Sequence, residues 1–494
     1  MCIKTDKWLL LILILYFALA INYTLNVPIF EAPDEPDHFA HVQYLVNHNR
    51  LPLLIEKEPD APRTAIHPPL YYFLNALIYA PLQVFDHPVQ TTYNEKFGLI
   101  NRNRYFHRNE SIAEHFPFYI IRLFSIFLGM GTIIFGWKIA GECFGKNYYL
   151  IILSTALIAF IPQFIYISGT VNCDNLANFI STVIFWLLIK SAKTKGAKRK
   201  DIVLMGILLG LASITKFTVL FLIPFAVVIF YIIKNDKNEF YKNILIIFVF
   251  IGITSGWYYL RNYLIYDHAL GGSFVIKRSL FSSYFIKPFA NIMLLSFFGL
   301  FGWMNILMDK IIYYFYILFY GIGFLAALKY RKVKICNWIL FLGILFSLMS
   351  NIRYNMTNDD YQGRHMLAIV APFAILVVQG YYNIYIWSKE KYHIFLSKKA
   401  KAMIVLSIII VLVSLNIFIV NAYIRPSFAR SGQKMNHRGH REKLKISLCS
   451  QRKFPSKDII NRIISVVKTD NLEYTDSLLF NGFSVFSVVD WVFI

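Results

Sequence analysis

Four carboxylates and two imidazoles fall within the eleven residues Glu31-Ala-Pro-Asp34-Glu35-Pro36-Asp37-His38-Phe-Ala-His41. A carboxylate placed here can act as a general base toward a hydroxyl or amide arriving from water. Asp34 and Glu35 are the candidates for that task. Adjacent residues on a helix diverge by about 100°, so the two cannot do the same job. Pro36 restrains Glu35 toward extended backbone, which makes Glu35 or Asp34 the cap of the following helix. Asp34, one residue nearer the preceding apolar segment, is the better-placed base. His38 and His41 share a helical face at i, i+3 with Glu35 three residues before His38, a spacing able to hold a divalent metal ion. The plainer reading of the stretch is a solvated loop start with a helix cap.

Other ionisable residues sit where apolar segments end. Asp174, in Asn172-Cys-Asp174, is a second carboxylate near a segment boundary, and also an N-cap candidate for the apolar run that follows. Lys216, flanked by Ile214 and Phe217, is either a snorkelling boundary lysine or a phosphate partner. Arg364, in Gln362-Gly-Arg364, offers a planar fork suited to phosphate oxygens, and Gly363 permits close backbone approach. Arg122 falls inside an apolar run, where an arginine is a functional candidate by default. Arg261, after Trp257-Tyr-Tyr, reads equally as an interfacial anchor.

The elements that must position these residues are membrane spans. The chain has 494 residues, 57% hydrophobic and 16% charged, with 45 Phe and 32 Tyr. Those proportions exclude an ordinary soluble domain and point to an all-α integral membrane protein. The spacing predicts eleven spans, at about 8–25, 118–137, 149–167, 175–190, 201–215, 217–233, 243–262, 310–328, 335–350, 365–387 and 402–422. The first resembles a signal peptide but lacks a clean small-residue cleavage site, and is read as an uncleaved span. The region 288–308, rich in Gly and Trp, reads as re-entrant or interfacial.

The long segment up to about Phe116 holds eleven of the 28 acidic residues and seven of the 12 histidines, against seven Lys/Arg. It forms the large first extracytoplasmic loop (28–117), with two interfacial helices, one opened by Pro36 and one running from Leu70 to Pro81. The basic connections Lys190–Lys200, Lys329–Lys334 and 389–401 fall on the opposite, cytoplasmic side. That pattern accounts for the net charge of +22 without nucleic acid. Residues 1–424 form the polytopic domain and 425–494 a basic tail, expected to be extracytoplasmic. Five scattered cysteines give neither a disulfide framework nor a zinc knuckle. No Walker loop and no GxSxG elbow occurs, so an ATP-driven pump or serine hydrolase lacks support.

The set of motifs resembles the GT-C superfamily of polytopic glycosyltransferases, such as protein O-mannosyltransferases and the aminoarabinose transferase of lipid A. It is most similar to a family of membrane proteins with a Pro-Asp-Glu-Pro-x-His signature, here Pro33-Asp34-Glu35-Pro36-Asp37-His38. The other matching pieces are His67-Pro-Pro-Leu-Tyr71, Arg122-Leu-Phe-Ser125, Asn172-Cys-Asp174, Lys216, Trp257-Tyr-Tyr-Leu-Arg261-Asn262, Phe298-Gly-Leu-Phe-Gly-Trp303 and Gln362-Gly-Arg364.

The resemblance implies transfer of a sugar from a polyprenyl-phosphate donor to a glycan, lipid or protein acceptor, at the outer face of the cell membrane. It gives Asp34, with Glu35 beside it, the role of base. Arg364 and Lys216, with Arg122, Asp174 and His67, fall to the substrate side. A divalent metal at His38 and His41 is the cofactor candidate. A transporter or flippase of lipid-linked sugars would use the same phosphate-binding residues without a base. A surface-polysaccharide polymerase or ligase would need a glycan acceptor.

Overall fold

The computed structural model describes residues 3–428 apart from 55–56, 59–60, 96, 99–101, 108–110, 195–197, 235, 273–281, 330–334 and 359. The basic tail from 429 onward, and the basic residues expected at 195–197 and 331–334, lie outside the described residues. The chain is an α-helical membrane protein. In order its helices are α1 (Ile3–Asn26), α2 (Glu35–His48), α3 (Leu70–Tyr79), α4 (Phe116–Phe144), α5 (Tyr148–Ala159), α6 (Pro162–Ser168), α7 (Asp174–Lys193) and α8 (Arg199–Ser213). They continue with α9 (Leu222–Ile233), α10 (Lys237–Tyr266), α11 (Ser283–Phe298), α12 (Lys310–Lys329), α13 (Ile335–Asn358), α14 (Val370–Tyr392) and α15 (Lys398–Ile419).

Among the described residues eight helices are long and apolar enough to cross a membrane, or nine if α5 and α6 form one broken span. These two meet at 59°. Pro162 opens α6 and holds Ile161 in extended backbone, so one helix cannot run through. Two further segments expected to span are helical but short. At ~1.5 Å per residue, α8 reaches only about 22 Å, less than the ~30 Å of hydrocarbon. The apolar stretch Phe217–Ile233 is also below spanning length. The apolar part of α11, Pro288–Phe298, is likewise short. It ends in a tight loop with Gly302 and Met304 at positive φ and a bridge between Phe301 and Ile306.

Both expected short helices of the first loop are present. The first, α2, carries Pro at its first turn, where the missing N–H costs nothing. The second, α3, leaves the apolar side chains of Phe73 and Leu77 exposed. The loop also contains an antiparallel pair not anticipated from spacing, β1 (Thr91–Tyr93) and β2 (Tyr105–His107), in register Thr91↔His107 and Tyr93↔Tyr105. Their Thr and aromatic residues suit a pleated, half-buried surface.

Burial ranks the helices. Of the apolar window of α7, 83% is enclosed, against 17% for α10, so α7 is central and α10 peripheral. The buried Asn175, Asn178, Ser181 and Thr182 of α7 suit a helix that faces protein and not lipid. The N-terminal end of this enclosed helix carries Asp174.

Glycines set two close approaches. A Cβ on Gly380 of α14 would collide with the backbone of Gly323 in α12. One on Gly363 would run into the backbone of Met293 and Phe297 in α11. Gly363 opens a 3-10 segment, Gly363–Ile369, whose next residue is Arg364. Replacing Gly363 with alanine is therefore expected to cost about 1–3 kcal/mol by overpacking. It should also lower turnover by shifting Arg364. Thermal unfolding and kcat of the purified variant check both; unchanged values in each would show that α11 yields freely.

Candidate active site

The floor of the site is a buried ion pair. Arg122, in the second turn of α4, donates from Nε to Glu35 Oε1 (2.9 Å) and from Nη2 to Glu35 Oε2 (2.7 Å). Its remaining N–H groups reach the carbonyls of Thr24 (3.1 Å), Val27 (2.8 Å) and Pro28 (3.0 Å), which end α1. Glu35 also accepts from the backbone N–H of Phe30 (3.1 Å) and Val171 (2.9 Å). Both side chains are fully buried. Of the two residues expected as base and phosphate ligand, Glu35 accepts four hydrogen bonds from protein and the Arg122 fork is spent on protein. Together they clamp the end of α1, the start of α2 and the turn before α7 onto α4. Glu31 adds a second tie by accepting from the backbone N–H groups of Arg104 (2.9 Å) and Tyr105 (2.8 Å), which fixes β2. The Arg104 guanidinium lies 3.6 Å over the Trp303 ring, whose Nε1 donates to the Phe30 carbonyl (3.0 Å).

Asp34 stands directly above this clamp. Its backbone is left-handed (φ 62, ψ 3), a conformation uncommon for a residue with a Cβ and concentrated at functional sites. It occupies the N-cap position of α2, yet its side chain makes no cap hydrogen bond. The carboxylate instead turns to Arg364 Nη2, with its side chain 41% exposed. Arg364 Nη1 donates to the Pro33 carbonyl (3.3 Å), and Arg364 Nε lies 3.7 Å from Asp174 Oδ2. Those last two atoms are buried and have no hydrogen-bond partner among the described residues. Asp174 Oδ1 pairs with Lys216 Nζ. Asp174 is the first residue of α7 and makes no side-chain cap, so the cap reading gives way to an ion pair.

Four residues 34, 174, 216 and 364 positions along the chain thus meet as Asp34–Arg364–Asp174–Lys216. They meet because α1 ends, and α4, α7 and the 363–369 segment begin, at one end of the helix assembly. Asp360 and His365 extend the cluster, with Asp360 Oδ2 and His365 Nε2 3.0 Å apart. Burial would raise the Asp360 carboxyl, but His365, Arg364 and Lys216 hold it well below the usual carboxylate range. Sequence reasoning passed over Asp360 and His365, although both flank the Gln362-Gly-Arg364 motif.

The histidines form a separate group. His38 Nδ1 and His67 Nδ1 both reach the Tyr72 hydroxyl, at 2.7 and 3.0 Å. The His41 ring stacks on Tyr72 at 3.9 Å, and its Nδ1 faces the Thr64 carbonyl (3.1 Å) and hydroxyl (3.2 Å). Donor atoms of His38, His67 and Cys173 lie within 4.8 Å of one another. The metal set expected from spacing, Glu35 with His38 and His41, does not converge as a group among the described residues. Glu35 is committed to Arg122, and His41 lies outside the converging group. Burial first, then His67, Arg364 and Lys216, pushes His38 well below the ordinary imidazole value. Burial and Lys216 bring His67 down to about 4, and burial and His67 bring His41 to about 3. Burial raises the Cys173 thiol to about 11. At neutral pH all four are uncharged.

No curated protein matches the chain at a significant level. Among solved structures, it is similar to ArnT from Cupriavidus metallidurans bound to undecaprenyl phosphate, at 9% identity and TM-score 0.48, covering 84% of this chain and 73% of that one. It is similar to the Archaeoglobus fulgidus oligosaccharyltransferase in the apo form, at 14% identity and TM-score 0.44, covering 88% of this chain and 57% of that one. The Pmt1-Pmt2 protein O-mannosyltransferase complex of S. cerevisiae bound to its sugar donor matches at 17% identity and TM-score 0.35, over 53% of this chain and 34% of that one. The chain thus spans about a third of the yeast protein and just over half of the archaeal one. Residues 111–259 match the family model described as dolichyl-phosphate-mannose-protein mannosyltransferase, a stretch that contains Arg122, Asp174 and Lys216 and leaves out Asp34 and Arg364.

Proposed function

We propose that the chain is a membrane glycosyltransferase that moves a sugar from a polyprenyl-phosphate donor to an acceptor at the outer face of the membrane. The observation that carries this reading is the juxtaposition of a half-exposed carboxylate, Asp34, with two cations, Arg364 and Lys216, at one end of the helices. The family similarity over residues 111–259 supports it.

In this mechanism Asp34 takes the proton from the acceptor O–H or N–H. The acceptor atom bonds to the anomeric carbon as the carbon–oxygen bond to phosphate breaks. The electron pair leaves on the phosphate oxygen, where Arg364 and Lys216 meet the developing charge. Before the donor arrives, Asp34 and Asp174 neutralise those cations. The donor phosphate competes for Arg364, whose buried Nε already lacks a hydrogen-bond partner, and this releases Asp34 toward the acceptor.

The test is purified protein incubated with a panel of polyprenyl-phosphate sugars, following release of free polyprenyl phosphate. Release matched by glycosylated acceptor is expected. Movement of intact donor across a vesicle membrane without release would replace the enzyme with a transporter. Donor binding supplies a second prediction. Arg364→Ala removes a charge-assisted contact of ~1.5–3 kcal/mol, so donor Kd should rise about 10- to 100-fold. Arg364→Lys keeps the charge but loses the fork, and should fall between. Equal donor affinity in wild type and Arg364→Ala would transfer the phosphate to Lys216.

A further inference from the structure

Three segments distant in sequence bring four donor groups to one buried point beside the active site. His38 comes from α2, His67 from the turn before α3, Tyr72 from α3 and Cys173 from the residue before α7. Tyr72 Oη is the hub: both Nδ1 atoms reach it, and the Cys173 thiol is hydrogen-bonded to it as well. We propose that His38, His67, Cys173 and Tyr72 form a site for one tetrahedral transition-metal ion of zinc type, which ties the first loop to the start of α7.

The donor chemistry carries the assignment. Two imidazole nitrogens and a sulfur, with an oxygen as fourth donor, form a set of the kind that borderline-soft Zn2+ takes. A thiol is only a weak hydrogen-bonding group, so a polar network alone gives little reason for sulfur here. Tetrahedral Zn2+ needs donor–donor edges of about 3.3–3.6 Å, given ~2.0–2.1 Å bonds to nitrogen and ~2.3 Å to sulfur. The His38, His67 and Cys173 donors already lie within 4.8 Å, so side-chain rotations of about 1 Å close the set. Four protein donors leave no open position, which marks a structural and not a catalytic ion. Its effect on the active site runs through chain geometry: His38 lies one helical turn after Asp34, and Cys173 directly precedes Asp174. Binding as a thiolate releases the Cys173 proton to solvent.

The experiment uses chelator-stripped, purified full-length protein titrated with Co2+ as a spectroscopic probe. One Co2+ per chain is expected, with visible bands of a tetrahedral ion and a thiolate-to-cobalt charge-transfer band, both removed by added Zn2+. Cys173→Ser should lose the charge-transfer band and weaken Zn2+ binding by at least ~10-fold. No uptake by the wild type would leave a hydrogen-bonded cluster and overturn the site. Uptake without the charge-transfer band would mean an adventitious ion only and would overturn it equally. The wild-type spectrum decides even where a variant fails to fold, and none of these readouts depends on glycosyl transfer.

Discussion

Asp34→Asn is expected to slow glycosyl transfer by about 10²- to 10⁴-fold, the range for removal of a general base. Asparagine is the informative substitution for two reasons. It preserves size, and it is among the few residues that tolerate left-handed backbone, so the strained turn at φ 62 survives. Donor binding should not weaken, because Arg364 loses a competing carboxylate and keeps its contact to the Pro33 carbonyl. The expected signature is therefore a collapse of kcat with donor Kd equal to wild type or lower. Near-normal turnover in Asp34→Asn would move the base elsewhere, and Asp360, more exposed than the buried Asp174 of the same cluster, would be next to test.

The apolar runs and the helix start at Pro36 made the helices legible, including both short helices of the first loop. The number of crossings was less so. A mostly apolar helix of fifteen residues such as α8 reads like a span until its length is compared with the membrane. Within the site, individual residues were legible but their pairings were not. Arg122, alone in an apolar run, required a partner, yet nothing local chose Glu35 over Asp34, 87 and 88 positions away. In the fold Asp34 has positive φ and its carboxylate pairs with Arg364, while that of Glu35 pairs with Arg122. Spacing along one helix paired His38 with His41, because an i, i+3 rule sees only one element. The partners His38 meets, His67 and Cys173, come from other segments. Asp360 and His365 lie beside Gly363 and Arg364 in sequence, but nothing local marks them as members of the cluster that the fold assembles.

The clamp beneath Asp34 gives the second large effect, this time on stability. Glu35→Gln is expected to destabilise the protein by about 3–5 kcal/mol, the cost of breaking a buried pair from one side. The asymmetry of the pair sets the order of variants. If Arg122 is lost, Glu35 can take up a proton and still accept the N–H groups of Phe30 and Val171. If the Glu35 charge is lost, Arg122 cannot shed its own and is left buried among neutral partners such as the carbonyls of Thr24, Val27 and Pro28. Glu35→Gln should therefore cost more than Arg122→Met. The double variant Glu35→Gln/Arg122→Met should recover much of the loss, since neither charge then stays buried alone. Reversible unfolding of the purified protein in mixed detergent, run as a double-mutant cycle, measures the coupling. Turnover per folded molecule supplies the decisive contrast with Asp34→Asn: Glu35→Gln should retain most of it. Wild-type stability in Glu35→Gln together with abolished turnover would return Glu35 to the role of base and remove the clamp.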